Sequence, residues 1–207
     1  MRISEQAKQE TRGRILEKAA EIFTSKGFED TTTRDIALAS GLAAGTLFNY
    51  FPSKETLAMT MVTEALGQGR DDFQRRRSGE EDLSEELFLF VASGLRRLQP
   101  LRPFLGPVLE RSLSPFPRKS VCQEGETARL GHLNAVQQII ARHGFAAAPD
   151  FVAMTMYWSL YLGILAFWTN DGSPSQEASQ SLIDYSIRMF VQVISGSGSD
   201  EGATYAG

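Results

Sequence analysis

Cysteine is nearly absent: Cys122 is the single one in 207 residues. An internal disulfide is excluded, so the fold has to rest on a packed core, as expected of a chain kept in a reducing cytoplasm. Histidine is almost as scarce. His132 and His143 lie eleven positions apart, so no pair at i, i+4 spacing exists to grip a metal, and no metal site or cofactor is expected. A phosphate loop, a nucleophile elbow and a clustered triad are also missing, so no catalytic residue is singled out and no enzyme is expected. The opening residues, MRISEQAKQETRGR, hold no apolar run that would serve as a secretory signal. Strand-period alternation of any length is absent, which leaves helices.

An excess of positive charge is lacking too. The net charge is −4, whereas a nucleic-acid binder usually carries a basic footprint. Residues 1–54 are nearly balanced, with eight Lys/Arg against seven Asp/Glu. Binding needs only a local basic surface, and Glu80, Glu81, Asp82, Glu85 and Glu86 cluster well away from this segment. Apolar residues make up 42% of the chain, enough for a sizeable core.

What is present is concentrated in TRGRILEKAAEIFTSKGFEDTTTRDIALASGLAAGTLFNYFPSKETL, from Thr11 to Leu57. A first helix runs from residues 4–11 to Lys26, with Ile15, Ala19, Ile22 and Phe23 on one face. Gly27 supplies the left-handed residue that ends it, and Phe28 is placed to fold back on Phe23. A second helix begins at Thr32, whose hydroxyl and the Asp35 carboxylate form a reciprocal capping box. Ile36 and Ala37 face inward, Gly41 makes a tight turn, and Leu42 packs beneath it. A third helix runs from Ala44 to Phe51, burying Leu47 and Phe51; Pro52 stops it and Ser53 caps the fourth.

Two short helices joined by a glycine turn form a helix-turn-helix, which braces one helix on phosphates and offers the next to base edges. Thr33, Arg34, Ala44, Thr46, Phe48, Asn49, Tyr50 and Lys54 are the candidate DNA contacts. Arg34 and Lys54 would neutralise phosphates, or Arg34 would reach a guanine, while Tyr50 and the threonines would donate to phosphate oxygens. Asn49 would meet a base or a phosphate. Plain structural roles stand beside each: Tyr50 as core, Asn49 as solvated surface, Thr46 as a cap, Arg34 as a solvated charge.

The segment resembles the DNA-binding domain of the TetR family of bacterial transcriptional repressors. Thr11-Arg12, Ile15, Ala19-Ala20, Phe23, Lys26-Gly27-Phe28, Thr31-Thr32, Asp35-Ile36-Ala37, Gly41, Gly45-Thr46-Leu47, Tyr50-Phe51 and Ser53-Lys54-Glu55-Thr56-Leu57 carry the resemblance. It spans 47 residues without gaps, under a quarter of the chain. The resemblance implies a palindromic double-stranded DNA operator, a homodimer and an effector-binding helical body. Two departures stand out. Phe48 occupies a position where the family often has a tyrosine on a phosphate. Ala43 stands where a capping serine commonly opens the recognition helix, a loss of about 1 kcal/mol of helix-end stability. With Ala43, Ala44 and Gly45 at its start, that helix has little to read bases with except thymine methyls.

The rest of the chain is expected to be helical throughout. A fourth helix covers Lys54 to Arg77 with Leu57, Met61, Ala65 and Leu66 as its stripe, weakened at Gly67 and Gly69, which are taken as tolerated surface glycines. Arg75-Arg76-Arg77 would favour the helix dipole at its end, with a phosphate contact as the alternative. Ser84 would cap a helix to Gln99, and Phe104–Leu113 would form a short helix with Pro107 in its first turn. Pro115 and Pro117 would make a loop, followed by a helix from Ser120 to His143, with His143 as a terminal cation. Residues Phe151 to Thr169 form an uncharged run of membrane-spanning length. No Lys or Arg anchors it, so a fully buried helix is expected instead, with no membrane partner. Phe151, Met154, Trp158, Tyr161, Leu165 and Trp168 would line one face, and Met156, Leu160, Gly163, Ile164 and Phe167 the other.

The expected architecture is all-α: a three-helix helix-turn-helix head over residues 1–53, a helical ligand-binding and dimerisation body over 54–195, and a disordered tail over 196–207, with about nine helices. By the resemblance, helices at about 150–170 and 175–194 would form the dimer interface. Phe104, Leu109, His132, Met154, Trp158 and Tyr161 are candidates to line an apolar or aromatic effector's pocket, and each serves equally as plain core. The alternative function is a helical small-molecule-binding protein or enzyme with a vestigial head; a single-span membrane protein is a third.

Overall fold

The computed structural model describes residues 4–113, 123–144 and 151–196. The order is α1 (Glu5–Lys26), α2 (Thr33–Ala39), α3 (Ala44–Phe48), α4 (Lys54–Arg76), α5 (Leu83–Leu98), α6 (Arg102–Leu113), α7 (Gln123–Arg142), α8 (Phe151–Asn170) and α9 (Glu177–Gly196). Single turns of 3-10 helix, Gln99–Leu101 and Pro174–Gln176, precede α6 and α9. No strand occurs among the described residues. Cys122, the loop holding Pro115 and Pro117, the expected start of α7 at Ser120 and the tail beyond Gly196 lie outside them.

The chain divides into two compact units, Met1–Gln68 with Arg97–Arg129, and Gly69–Arg96 with Leu130–Gly207. The boundary expected at residues 53 and 54 therefore differs from the spatial one. The cause is α6, which packs with the head: the Phe104 and Phe23 ring centroids lie 5.2 Å apart, and Arg111 forms a two-pronged ion pair with Glu29 at 3.0 and 2.6 Å. Helix α6 begins at Arg102, two residues earlier than expected, so Pro107 sits inside it.

Three other expectations are corrected in the second unit. Asp82, not Ser84, caps α5: the Glu85 N–H donates to the Asp82 carboxylate at 2.9 Å, and the Asp82 N–H donates to Glu85 at 3.0 Å. Gly69 is not a surface glycine. A Cβ there would come within 2.9 Å of the Gly94 Cα, so the backbones of α4 and α5 meet where neither residue has a side chain. Helix α9 begins at Glu177 and not Ser175, because Ser175 and Gln176 hold positive φ of 52° and 57°.

Glu86 departs from its acidic neighbours. It is 4% exposed and accepts from Arg142 at 2.5 Å, His143 at 2.6 Å and Arg77 at 3.1 Å. Burial alone would raise its pKa; Arg142, His143 and Arg77 outweigh that and hold it below the usual carboxylate value. This carboxylate bolts the ends of α4 and α7 to the first turn of α5. Arg77 and His143, expected as helix-end cations, are thus committed to one buried anion.

Helix α8 is the one described helix long and apolar enough to cross a membrane. Its apolarity has an internal cause: Met154, Tyr157, Trp158, Tyr161, Leu165 and Trp168 are buried within the unit. The two-faced assignment needs adjustment. Ile164 is buried, Tyr157 joins the inner face unforeseen, and Phe151 is 81% exposed.

Candidate nucleic-acid interface

The head is built around Ile15, Ala19 and Phe23 of α1, onto which Phe28, Ile36, Ala37, Leu47 and Phe51 pack, all at most 2% exposed. Gly27, at φ 89°, lets the chain reverse so that the Phe28 ring meets Phe23 at 5.2 Å between centroids. The capping box of α2 is complete. Thr32 Oγ1 accepts the Asp35 N–H at 3.2 Å, and the Asp35 carboxylate accepts the Thr32 N–H at 2.9 Å. Lys26 closes on the same carboxylate at 2.7 Å. Those contacts, Lys26 first and then Thr32, hold the Asp35 pKa down at about 2.

Gly41, at φ 66°, makes the turn, and the Leu42 N–H returns to the Ala37 carbonyl at 2.8 Å. Helix α3 ends at Phe48, three residues sooner than expected. The Tyr50 and Phe51 N–H groups both donate to the Leu47 carbonyl at 2.9 Å, which tightens the last turn and still buries Phe51. Ser53 then caps α4 through the Thr56 N–H at 3.0 Å.

Arg34, Ala44, Phe48 and Asn49 are exposed, and Thr33, Thr46 and Tyr50 are half-buried. None of the polar side chains in this set forms a hydrogen bond or ion pair among the described residues. The other head cations mostly do: Arg12 pairs with Glu64 at 2.7 Å and Lys26 with Asp35. Arg14, which the sequence did not single out, is exposed on α1 like Arg34, again with no such partner among the described residues.

Lys54 overturns its expected role. Its ammonium donates to the carbonyls of Phe28, Glu29 and Thr31 at 2.7, 2.9 and 3.0 Å and lies 4.6 Å from the Phe28 ring centroid. An ammonium has three protons, and all three are used in tying the start of α4 to the loop between α1 and α2. A terminal lysine in a family motif reads like a phosphate contact; only the fold reveals its three carbonyls.

The six expected effector residues separate. Phe104 and Leu109 belong to the core of the first unit, and His132, Met154, Trp158 and Tyr161 to the second. In the second unit His132 lies 4.0 Å from the Tyr161 ring centroid and 6.1 Å from Trp158, with Tyr157 Oη 3.0 Å from its Nε2. Burial, helped by the Arg70 charge, pushes the His132 pKa down to about 3, so the ring is neutral. A cleft of about 500 Å³ in that unit is lined instead by Asp82, Glu85, Phe88, Gln180, Asp184 and Arg188. Nothing in the sequence marks these residues as a cleft, because polar and charged positions on separate helices carry no periodic signal.

Two family models cover most of the chain: one described as bacterial regulatory proteins, tetR family, over residues 15–59, and one described as tetracyclin repressor-like, C-terminal domain, over residues 87–204. The chain belongs to the TetR family. It is therefore a DNA-binding transcription regulator. The repressor KstR2 of Rhodococcus jostii is 28% identical over 162 residues, 78% of this chain and 67% of that one. The repressor KstR of Mycolicibacterium smegmatis is 24% identical over 91% of both chains. Among solved structures, Thermus thermophilus FadR, a TetR-family repressor in complex with lauroyl-CoA, superposes with a TM-score of 0.66 at 22% identity, covering 95% of this chain and 98% of that one. This likeness concerns the all-helical TetR fold.

Proposed function

We propose that this TetR-family regulator is an effector-responsive repressor that binds a palindromic operator as a homodimer. The observation that carries the reading is the division of labour in the head. Lys26, Lys54 and Arg12 hold the scaffold, while Arg34, Thr46, Asn49 and Tyr50 have no side-chain hydrogen-bond or ion-pair partner among the described residues. In a helix-turn-helix these are the positions that meet phosphates and base edges. Arg34 neutralises a phosphate, Asn49 meets a base edge or a phosphate, and Tyr50 donates to a phosphate.

A single α3 touches too few bases to be specific, so two heads related by a two-fold axis read two half-sites. The outer faces of α8 and α9 supply the pairing surface. Phe167, Tyr185, Met189 and Val193 are 44–68% exposed there, with Tyr185, Met189 and Val193 spaced four apart on one stripe of α9. Burying such a stripe against its copy removes large apolar side chains from water. The effector is a small apolar or aromatic molecule held in the helical body. Its binding shifts α4 and with it the spacing of the two heads, which lowers operator affinity by favouring the unbound geometry. Relatives named as repressors support the sign of regulation, and the DNA partner supports a cytoplasmic setting and a regulator without enzymatic activity.

The test is titration of the full chain against the DNA flanking its own gene at several salt concentrations. Specific binding that weakens steeply with salt is expected. Binding that ignores salt, or none at all, overturns the reading. Arg34→Ala is expected to reduce affinity and lower the salt slope by about one; an unchanged slope removes Arg34 from the phosphate contacts.

A further inference from the structure

We propose that α3 discriminates operator sequence chiefly through thymine 5-methyl groups, with Phe48 as the specificity-determining side chain and Ala44 beside it. This rests on the operator-binding reading above and states how the base edges are read. Phe48 is 49% exposed, whereas Phe23, Phe28, Phe51 and Phe104 of the same unit are at most 2% exposed. Ala44 is exposed one turn before it, and residues four apart share a helix face. The outward strip of α3 is therefore a methyl group followed by a phenyl ring.

The cap and the first two residues of α3 offer no competing polar reader. Ala43, at the cap position, makes no side-chain hydrogen bond, and Gly45 has no side chain, with open space where a Cβ would stand. Ser and Tyr at positions 43 and 48 would hydrogen-bond; Ala and Phe do not. In the major groove, guanine, cytosine and adenine present donors and acceptors, and the thymine methyl is the one apolar feature. A phenyl ring set against a polar edge strips its water without replacing the hydrogen bond, whereas against a methyl it removes two apolar surfaces from water. The strip thus favours thymine and penalises the other bases at the positions it covers. A second copy of the chain is the other apolar surface that could cover Phe48; the position of Phe48 on the second helix of the helix-turn-helix favours DNA.

The experiment selects a duplex from a random pool with the full-length chain, then rebuilds that duplex with deoxyuridine in place of thymidine. This deletes methyls while leaving base pairing and the protein intact. Binding is expected to weaken about fourfold for each contacted methyl, corresponding to about 0.8 kcal/mol per buried methyl-sized group. Restoring single thymidines should recover affinity only at the covered positions of each half-site. Phe48→Ala, checked for helicity and oligomeric state, should lose most of the preference for the thymidine duplex and keep only the part that Ala44 supplies. Equal affinity of the unaltered chain for both duplexes overturns the proposal and leaves operator binding standing. Failure to select any sequence overturns the operator reading and this proposal with it. A Phe48→Ala variant that changes its oligomeric state yet keeps the full preference for thymidine assigns Phe48 to a protein contact and also overturns it.

Discussion

Lys54 reaches back 26 positions to place its ammonium 2.7 Å from the Phe28 carbonyl, against the face of the Phe28 ring. The side chain joins α4 to the loop after α1 by three hydrogen bonds and a cation–π contact. The residue is thereby a fastener of the head.

Removing that ammonium should loosen the head before it changes DNA contacts. Lys54→Met is expected to lower stability by about 1.5–3 kcal/mol, the range for hydrogen bonds to a charged group, read as a drop in the urea midpoint. The salt slope of DNA binding, extrapolated to the folded fraction, should stay unchanged. A slope reduced by about one with stability intact would return Lys54 to the phosphate contacts.

Asp35 ties stability to acid. Its folded pKa is about 2, lowered by Lys26 and Thr32 from an ordinary value of 3.8. A depressed carboxylate stabilises the fold above its unfolded pKa, and that contribution fades as pH falls from about 4 to about 2. Thermal melts across that window should show the head softening, and Asp35→Asn should flatten the part of the slope that belongs to this group. Thr32→Ala, which deletes the other half of the capping box, is expected to cost about 1 kcal/mol at neutral pH.

Glu86 is the sole carboxylate seen to bind Arg77, Arg142 and His143 among the described residues. Glu86→Gln should destabilise the protein by about 1.5–3 kcal/mol. The figure stays below that for a stranded buried charge, because the three partner side chains are 33%, 37% and 22% exposed and regain water. Denaturant unfolding monitored by tryptophan emission suits the measurement, since Trp158 and Trp168 are both buried in that unit.

The outer stripe of α9 should control assembly. Tyr185→Glu combined with Met189→Lys alters two side chains that are 68% and 44% exposed, so the protomer should fold with unchanged helicity. Sedimentation velocity is expected to show a monomer. Operator binding should fall on the order of a hundredfold as the second head ceases to be tethered. A variant that remains dimeric would move the interface off this stripe.

Local chemistry made much of the head legible from the chain alone. The Thr32–Asp35 box, the Gly27 and Gly41 turns and the Ser53 cap each involve residues within a few positions of one another, and each formed where its residues stood. The all-helical class followed likewise, from apolar spacing without strand alternation. What depends on distant partners was not legible. Lys54 and Arg34 look alike as isolated cations, yet one is spent on carbonyls and the other is exposed. Gly69 looks like a weak point until Gly94 is brought against it, and Phe104 looks like a pocket residue until Phe23 covers it. The sequence alone determined that the described segments are helical and fixed the caps and turns of α1 and α2, because hydrogen bonds within a turn are short-range, while the ends of α3, α5, α6 and α9 shifted from their expected places. Tertiary structure alone decided which side chains hold the scaffold and which remain available, because that depends on what long-range packing brings within hydrogen-bonding distance.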